Sequence, residues 1–241
     1  MFGLRMEVRL AAVMLVGAAM VAAVRPMEAQ STRRPKRETT ASRQERIART
    51  IENTYNHRWE VGGGGGYLRF RSGEYKQKNN EVTWATAATY YLSPKLGLMG
   101  DIRGSFGNAK VGPNIYNEAY NPLINEYTFM AGPNLRFYRK EKAAVSLHVL
   151  GGVAMGNFDG GAKGLLSQDI GLWQSATRPS FSAGVNFDYN LYPNLALRVT
   201  PTYVGTMFKL ADSDPSPQPH GTLQNNAGVN VGLFYRFGRI K

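Results

Sequence analysis

Cysteine is absent from this 241-residue chain. Its absence excludes disulfide staples, thiol catalysis, thiolate metal sites and a lipid anchor attached through cysteine. Beyond residue 29 no apolar run approaches the roughly 20 residues that a spanning helix requires, which excludes a helical membrane protein. Histidine is scarce: His57, His148 and His220 are scattered without ligand spacing, so neither a metal site nor any other cofactor is expected. Acid is short relative to base, with 17 Asp and Glu against 29 Lys and Arg and a net charge of +12. That balance suits nucleic acid, anionic lipid or a solvated tail.

What is present begins with an export signature. Arg5 and Arg9 precede an uninterrupted apolar stretch over 10–24, and Met27-Glu28-Ala29 ends on a small residue. This pattern predicts a secretory signal peptide over 1–29, cut near Ala29–Gln30. The apolar stretch is too short for a transmembrane anchor. Export makes a nucleic-acid partner unexpected, and the mature chain would keep a charge of about +11. Residues 30–56 differ from the remainder of the chain, because "STRRPKRETTASRQERIART" is basic, polar and free of glycine. Ile47, Ile51 and Tyr55 recur at helical spacing, so the segment reads as a basic linker or a short helix over 41–55. Such a helix would suit an anionic surface or a partner.

From residue 57 to residue 241 the period becomes 2. Glycine is abundant at 27 residues and tyrosine at 13, a pairing that suits tightly curved β-structure. Seven segments alternate: 81–92, 96–106, 126–138, 143–156, 180–191, 195–204 and 228–237. The sixth strand, "SFSAGVNFDYNL", opposes Phe181, Ala183, Val185, Phe187, Tyr189 and Leu191 to Ser182, Gly184, Asn186 and Asp188. The first strand, "RWEVGGGGGYLRF", is irregular: Glu60 and Arg69 have opposite parity, so a bulge or a sharp coil within Gly62–Gly66 is expected if both face inward. A nucleotide-binding glycine loop would need a helix after it, and more β-pattern stands there instead. Short connections ("SPK", "RKEK", "YPN") alternate with longer ones near 72–80, 108–122, 158–178 and 211–224. The fold class expected is therefore all-β, an eight-stranded antiparallel up-and-down barrel.

Two features separate a membrane barrel from a soluble, lipocalin-like one. The mixed face carries Asp101, Arg103, Arg136, Asp188, Arg198 and Arg236, with Glu60 as a further candidate, which suits a narrow lumen closed by ion pairs. The apolar face carries Trp84, Tyr90, Phe106, Tyr127, Phe137, Phe181 and Tyr189, the composition of aromatic girdles at two lipid interfaces. The closing strand, "GVNVGLFYRF", presents Tyr235 and Phe237 on that same face, after Gly232. With these residues the chain resembles the eight-stranded outer-membrane β-barrel family, the OmpA membrane-domain and OmpX/Ail-like group, over about 57–241. The resemblance implies bacterial outer-membrane localisation, contact with outer-membrane lipid and lipopolysaccharide, and an insertion signal at Gly232, Tyr235 and Phe237 read by the barrel-insertion machinery. It also implies a monomer with both termini in the periplasm. One departure is that Gly238-Arg-Ile-Lys241 comes after the expected terminal Phe.

An eight-stranded barrel has room inside only for side chains. The lumen charges are then expected to neutralise one another. A narrow ion path gated by rearranged pairs is the first alternative. A lipid A-modifying enzyme is the second, although Ser146 and His148 read as lumenal and His220, near Asp212 and Asp214, lacks a strand-held serine. The chain is therefore expected to have no catalytic residues. The third possibility is adhesion or ligand binding through the outer connections, which carry Asn114, Tyr116, Asn117, Tyr120, Asn121, Leu165, Leu166 and Trp173.

Overall fold

A computed structural model describes residues 39–74, 78–111, 121–160, 166–210 and 223–240. Residues 1–40 count as a unit separate from the rest. The expected signal peptide and the first part of the basic segment lie outside the described residues, as do His220 and the connection residues Asn114, Tyr116, Asn117, Tyr120 and Leu165.

Eight antiparallel strands hydrogen-bond in sequence order and close on themselves. They are β1 (Trp59–Arg71), β2 (Lys78–Tyr91), β3 (Leu96–Asn108), β4 (Leu123–Arg139), β5 (Ala143–Gly160), β6 (Ala176–Tyr192), β7 (Leu195–Thr206) and β8 (Gln224–Phe237). A helix, α1 (Thr40–Tyr55), precedes β1. Short turns at 92–95, 140–142 and 193–194 gather at one end, the turn end, and the longer connections gather at the other, the loop end. Closure leaves no unpaired strand edge, which hydrocarbon would penalise heavily.

Alternation decides which way each residue points. Val82, Leu98 and Phe137 are 73%, 57% and 63% exposed on the outer wall, while their strand neighbours Thr83, Met99 and Arg136 are buried inside. Apolar outside and polar inside inverts the pattern of a water-soluble barrel and fits a lipid solvent. The outer aromatics pair at both ends. Trp59 meets Tyr90 and Tyr235 meets Phe237 at the turn end, with ring centroids 4.8 and 6.1 Å apart. Phe106 meets Tyr127 at 5.7 Å and Phe181 meets Tyr203 at 5.8 Å in the loop half.

The first strand departs from expectation. It pairs with β2 and β8 without any register shift, so the glycine run contains no bulge. Glu60, Leu68 and Phe70 share the inner parity, and Arg69 points outward. The glycines serve the seam instead. A Cβ built on Gly64 would lie 2.0 Å from the Val231 carbonyl oxygen, and one on Gly232 would lie 2.4 Å from that of Gly63. Only glycine lets β1 and β8 bend this closely past each other.

The strands are also longer than the sequence pattern suggests: β4, β5 and β6 run 17, 18 and 17 residues. A tilted strand crosses the hydrocarbon in about 9–11 residues, so these three project well beyond it. Inside the loop-end section the core turns apolar. Leu68, Phe70, Ile124, Phe158, Trp173 and Phe208 are among the residues that fill it. Trp173, expected as an exposed loop aromatic, is 1% exposed here. Its Nε1–H donates to the Arg71 carbonyl at 2.6 Å, and its backbone N–H donates to the Ser72 carbonyl at 3.0 Å. The described part of the third long connection, 166–175, thus packs against the mouth, and a short 3-10 turn at Ser167–Ile170 adds Ile170 to the same core.

Candidate functional site

The interior of the turn half is built around Glu60, which enters from the second residue of β1. Arg136 Nη2 donates to its Oε2 at 2.9 Å, Arg236 Nε to the same oxygen at 2.7 Å, and Arg198 Nη2 to Oε1. Asp188 supplies the second carboxylate. Its Oδ1 accepts from Arg198 Nε at 2.5 Å, and its Oδ2 accepts from Arg198 Nη2 at 2.8 Å and Arg236 Nη2 at 2.9 Å. The Asp188–Arg198 contact is a two-pronged fork between register partners on β6 and β7.

Three guanidiniums facing two carboxylates leave one positive charge in excess. Aromatic faces absorb part of it. The Arg136 guanidinium lies 4.2 Å from the Tyr91 ring centroid and 5.1 Å from that of Tyr55, and Arg198 lies 4.0 Å from that of Phe234. Tyr91 also accepts a hydrogen bond from Arg136 Nη2 at 2.6 Å and one from Asn134 Nδ2 at 3.0 Å. All five charged groups are buried, with Glu60 and Arg136 fully inaccessible. Such burial is tolerable only when each charge keeps several partners.

Helix α1 closes this cluster from the turn end. Tyr55 donates its hydroxyl to the Lys140 carbonyl at 2.7 Å and accepts from Asn190 Nδ2 at 2.7 Å. Asn190 in turn accepts from Arg236 Nη1 at 2.6 Å. The apolar stripe Ile47, Ile51 and Tyr55 therefore ends in the barrel mouth, and Arg46 reaches Glu141 at 3.7 Å. His57, just after the helix, has its pKa pushed down to about 4, mainly by burial and then by the Arg236 charge, against a smaller opposing pull from Glu60. The fold therefore holds His57 neutral. Its contribution to stability is complete above the unfolded value near 6.5 and is lost as pH falls toward 4. Acidification across that window should loosen α1 from the mouth, seen as faster protease cleavage within 40–56, and His57→Gln should flatten the dependence.

Of the expected lumen residues, Arg136, Asp188, Arg198 and Arg236 meet in this cluster. Asp101 and Arg103 do not join it and form their own pair at 3.5 Å on β3. A cavity of about 30 Å³, lined among others by Asp101, Arg103, His148 and Arg198, separates the two groups. That is room for about one water molecule. Ser146 and His148 are lumenal and buried, and Ser146 Oγ accepts from Asn186 Nδ2 at 3.1 Å. Trp84, Tyr90, Phe106, Tyr127, Phe137, Phe181 and Tyr189 all lie on the outer wall. Tyr235 and Phe237 are outward and Gly232 lies in the seam.

A family model described as an outer membrane protein β-barrel domain matches residues 10–237. Among solved structures, the attachment invasion locus protein Ail of Yersinia pestis is similar at 16% identity and a TM-score of 0.45, over 76% of this chain and 99% of that one. Neisserial surface protein A is similar at 12% identity and a TM-score of 0.48, over 74% of this chain and 97% of that one. OprG of Pseudomonas aeruginosa is similar at 11% identity and a TM-score of 0.47, over 76% and 97%. No match is found among curated proteins.

Proposed function

This chain belongs to the family of outer membrane protein β-barrel domains, and from that premise we propose that it is a sealed barrel acting through its surfaces. Its place is the bacterial outer membrane. Its role in this reading is structural support of the bilayer and interaction through the loop-end connections, with neither transport nor catalysis.

One observation carries the reading: the lumen is stoppered twice. The cluster of Glu60, Asp188, Arg136, Arg198 and Arg236 blocks the turn half, with Tyr55 beneath it. The apolar packing around Phe70, Phe158 and Phe208 blocks the loop end, where the three rings lie within 6.3 Å of one another. An ion crossing this interior would have to break charge pairs and then enter a dry apolar section. The enzyme alternative draws no support from Ser146 and His148, which are buried in the lumen; its other candidate, His220 near Asp212 and Asp214, lies outside the described residues. We place the turn end and α1 in the periplasm and the loops at the cell surface, as short turns and long loops are distributed in outer-membrane barrels. Tyr235 and Phe237 then sit at the periplasmic interface, where the insertion machinery would read them together with Gly232.

The refolded protein in a planar bilayer is the direct test. It should show no unitary conductance in concentrated salt, and discrete, reproducible steps would overturn the sealed-barrel reading. Protease added to intact cells should cut only within 108–122, 158–178 or 211–224. Cleavage within 40–56 on intact cells would reverse the orientation.

A further inference from the structure

The cavity of about 30 Å³ between the charged cluster and the Asp101–Arg103 pair has a chemistry of its own. It exists because two inward positions at the seam, Gly64 on β1 and Gly232 on β8, carry no side chain. Ala85 and Met99 give one flank an apolar surface, while Arg103, Arg198 and Asn230 bring donors to it.

Those donors are not spent elsewhere. Arg198 enters from β7, where Asp188 and Glu60 take its Nε and Nη2. Its Nη1 has no hydrogen-bond partner among the described residues, so this is the nitrogen left for the cavity. Arg103 enters from β3. Its Nη2 lies 3.5 Å from Asp101 Oδ1, and its Nε and Nη1 are without partners among the described residues. Arg103 is 3% exposed and Arg198 1%. Asn230 Oδ1 accepts from Thr83 Oγ1 at 2.8 Å, which leaves its NH2 group as the free end. Buried N–H groups of a charged side chain are costly without an acceptor, and here they border one small space.

Charge and size narrow the acceptor. The cluster below carries one more guanidinium than carboxylate. Asp101 and Arg103 offset each other, so the lining adds no net negative charge. Glu81 and Glu126, the other inward acids of β2 and β4, do not line the cavity. Glu126 lies within electrostatic reach of Arg103 and is its rival partner; nothing of that kind stands beside Arg198 Nη1. The space admits one particle about the size of a water molecule, which excludes phosphate, sulfate and carboxylates. A halide fits. It is spherical, accepts N–H groups from several directions at once, and tolerates the apolar flank at Ala85 and Met99.

We propose that this cavity is a binding site for one small monovalent anion of the halide class, chloride in the cell, held by Arg198 Nη1, Arg103 and the Asn230 amide. The ion is enclosed when β1 and β8 close the seam and is released when the barrel opens. It is a constituent of the interior, not an ion in transit, and it offsets the excess positive charge of the cluster around Glu60. The site is independent of what the loops bind.

Two measurements on the full-length mature protein test this. In the first, the protein is refolded with sodium bromide and desalted into sodium gluconate, and its bromine is measured by elemental mass spectrometry. The folded wild type should retain roughly one bromide per chain, and a boiled sample none. Arg103→Gln removes two free donors and Ala85→Leu fills the space without touching a charge; either variant, when folded, should retain severalfold less. Heat-dependent gel mobility reports folding, and if neither variant folds, the folded and boiled wild type still decide. In the second, urea unfolding in lipid vesicles is followed as chloride replaces gluconate at constant ionic strength. Once the site is saturated, each tenfold rise in chloride should lower the unfolded-to-folded ratio roughly tenfold, and sulfate should not substitute for it. Retained bromine equal in a folded Arg103→Gln, or neither bromine nor chloride dependence in the wild type, overturns the proposal. Chloride dependence without retained bromine would uphold the site and count against the sealed lumen instead.

Discussion

Replacing Glu60 with Gln should destabilise the barrel more than any other single lumen substitution. Three guanidiniums converge on this carboxylate, and Asp188 touches only two of them. Without Glu60, Arg136 loses its one ion-pair partner among the described residues, and three positive charges face one negative charge in a buried interior. Removing one member of a buried charge network typically costs about 3–5 kcal/mol, most of it the cost of the charges left unmatched. Asp101→Asn makes the comparison informative, because Asp101 pairs with a single guanidinium among the described residues, that of Arg103 at 3.5 Å. The expected order of urea midpoints, measured by heat-dependent gel mobility in lipid vesicles, is wild type above Asp101→Asn and Asp101→Asn well above Glu60→Gln. An inverted order would remove Glu60 from the centre of the network.

The second large effect is expected at the seam. Gly64→Val places a branched side chain where even a Cβ would sit 2.0 Å from a backbone oxygen and 2.4 Å from the Gly232 Cα. Backbone on both sides leaves no flexible neighbour to give way, so β1 and β8 cannot close. The variant should accumulate unfolded, without the compact fast-migrating band of a closed barrel. Gly100→Ala and Gly151→Ala should fold like the wild type, because nothing lies within 4 Å of a Cβ at either position. Normal closure of Gly64→Val would show that the seam can part widely without cost.

The strand faces were legible because period-2 alternation survives in almost every strand, and lipid outside with ion pairs inside gives that alternation its sense. The eight-stranded closed barrel and its family come from the same pattern. The centre of the lumen was harder to see. Arg69, the second charge on the first strand, suggested a bulge that would bring both charges inward. Leu68 and Phe70 carry the signal that resolves this, since they share parity with Glu60 and belong to the apolar interior at the loop end. Tyr91 sits next to Tyr90, and adjacent strand residues face opposite ways, so one of the two had to enter the lumen. Nothing local marked it as a partner for Arg136, which lies 45 residues away. Tyr55 reads as the end of a helical stripe, and its hydrogen bonds to the turn at 140–143 are set by how α1 leads into β1. Trp173 looked like a loop aromatic because no periodicity reveals that a connection folds back over its own barrel.

The apolar core at the loop end has a consequence for recognition. A β-barrel that ended at the membrane surface would present its loops as tethered, wandering segments, and any partner would have to bear the entropy of ordering them. Here the long strands enclose an apolar interior at the loop end, which includes Trp173 and Phe208. The described bases of the connections are thereby set on a packed apolar pedestal. Sequence change at the loop tips is insulated from the transmembrane section below. Under the proposed surface role, the same scaffold would carry different loop specificities while its charge-locked lower half stays unchanged.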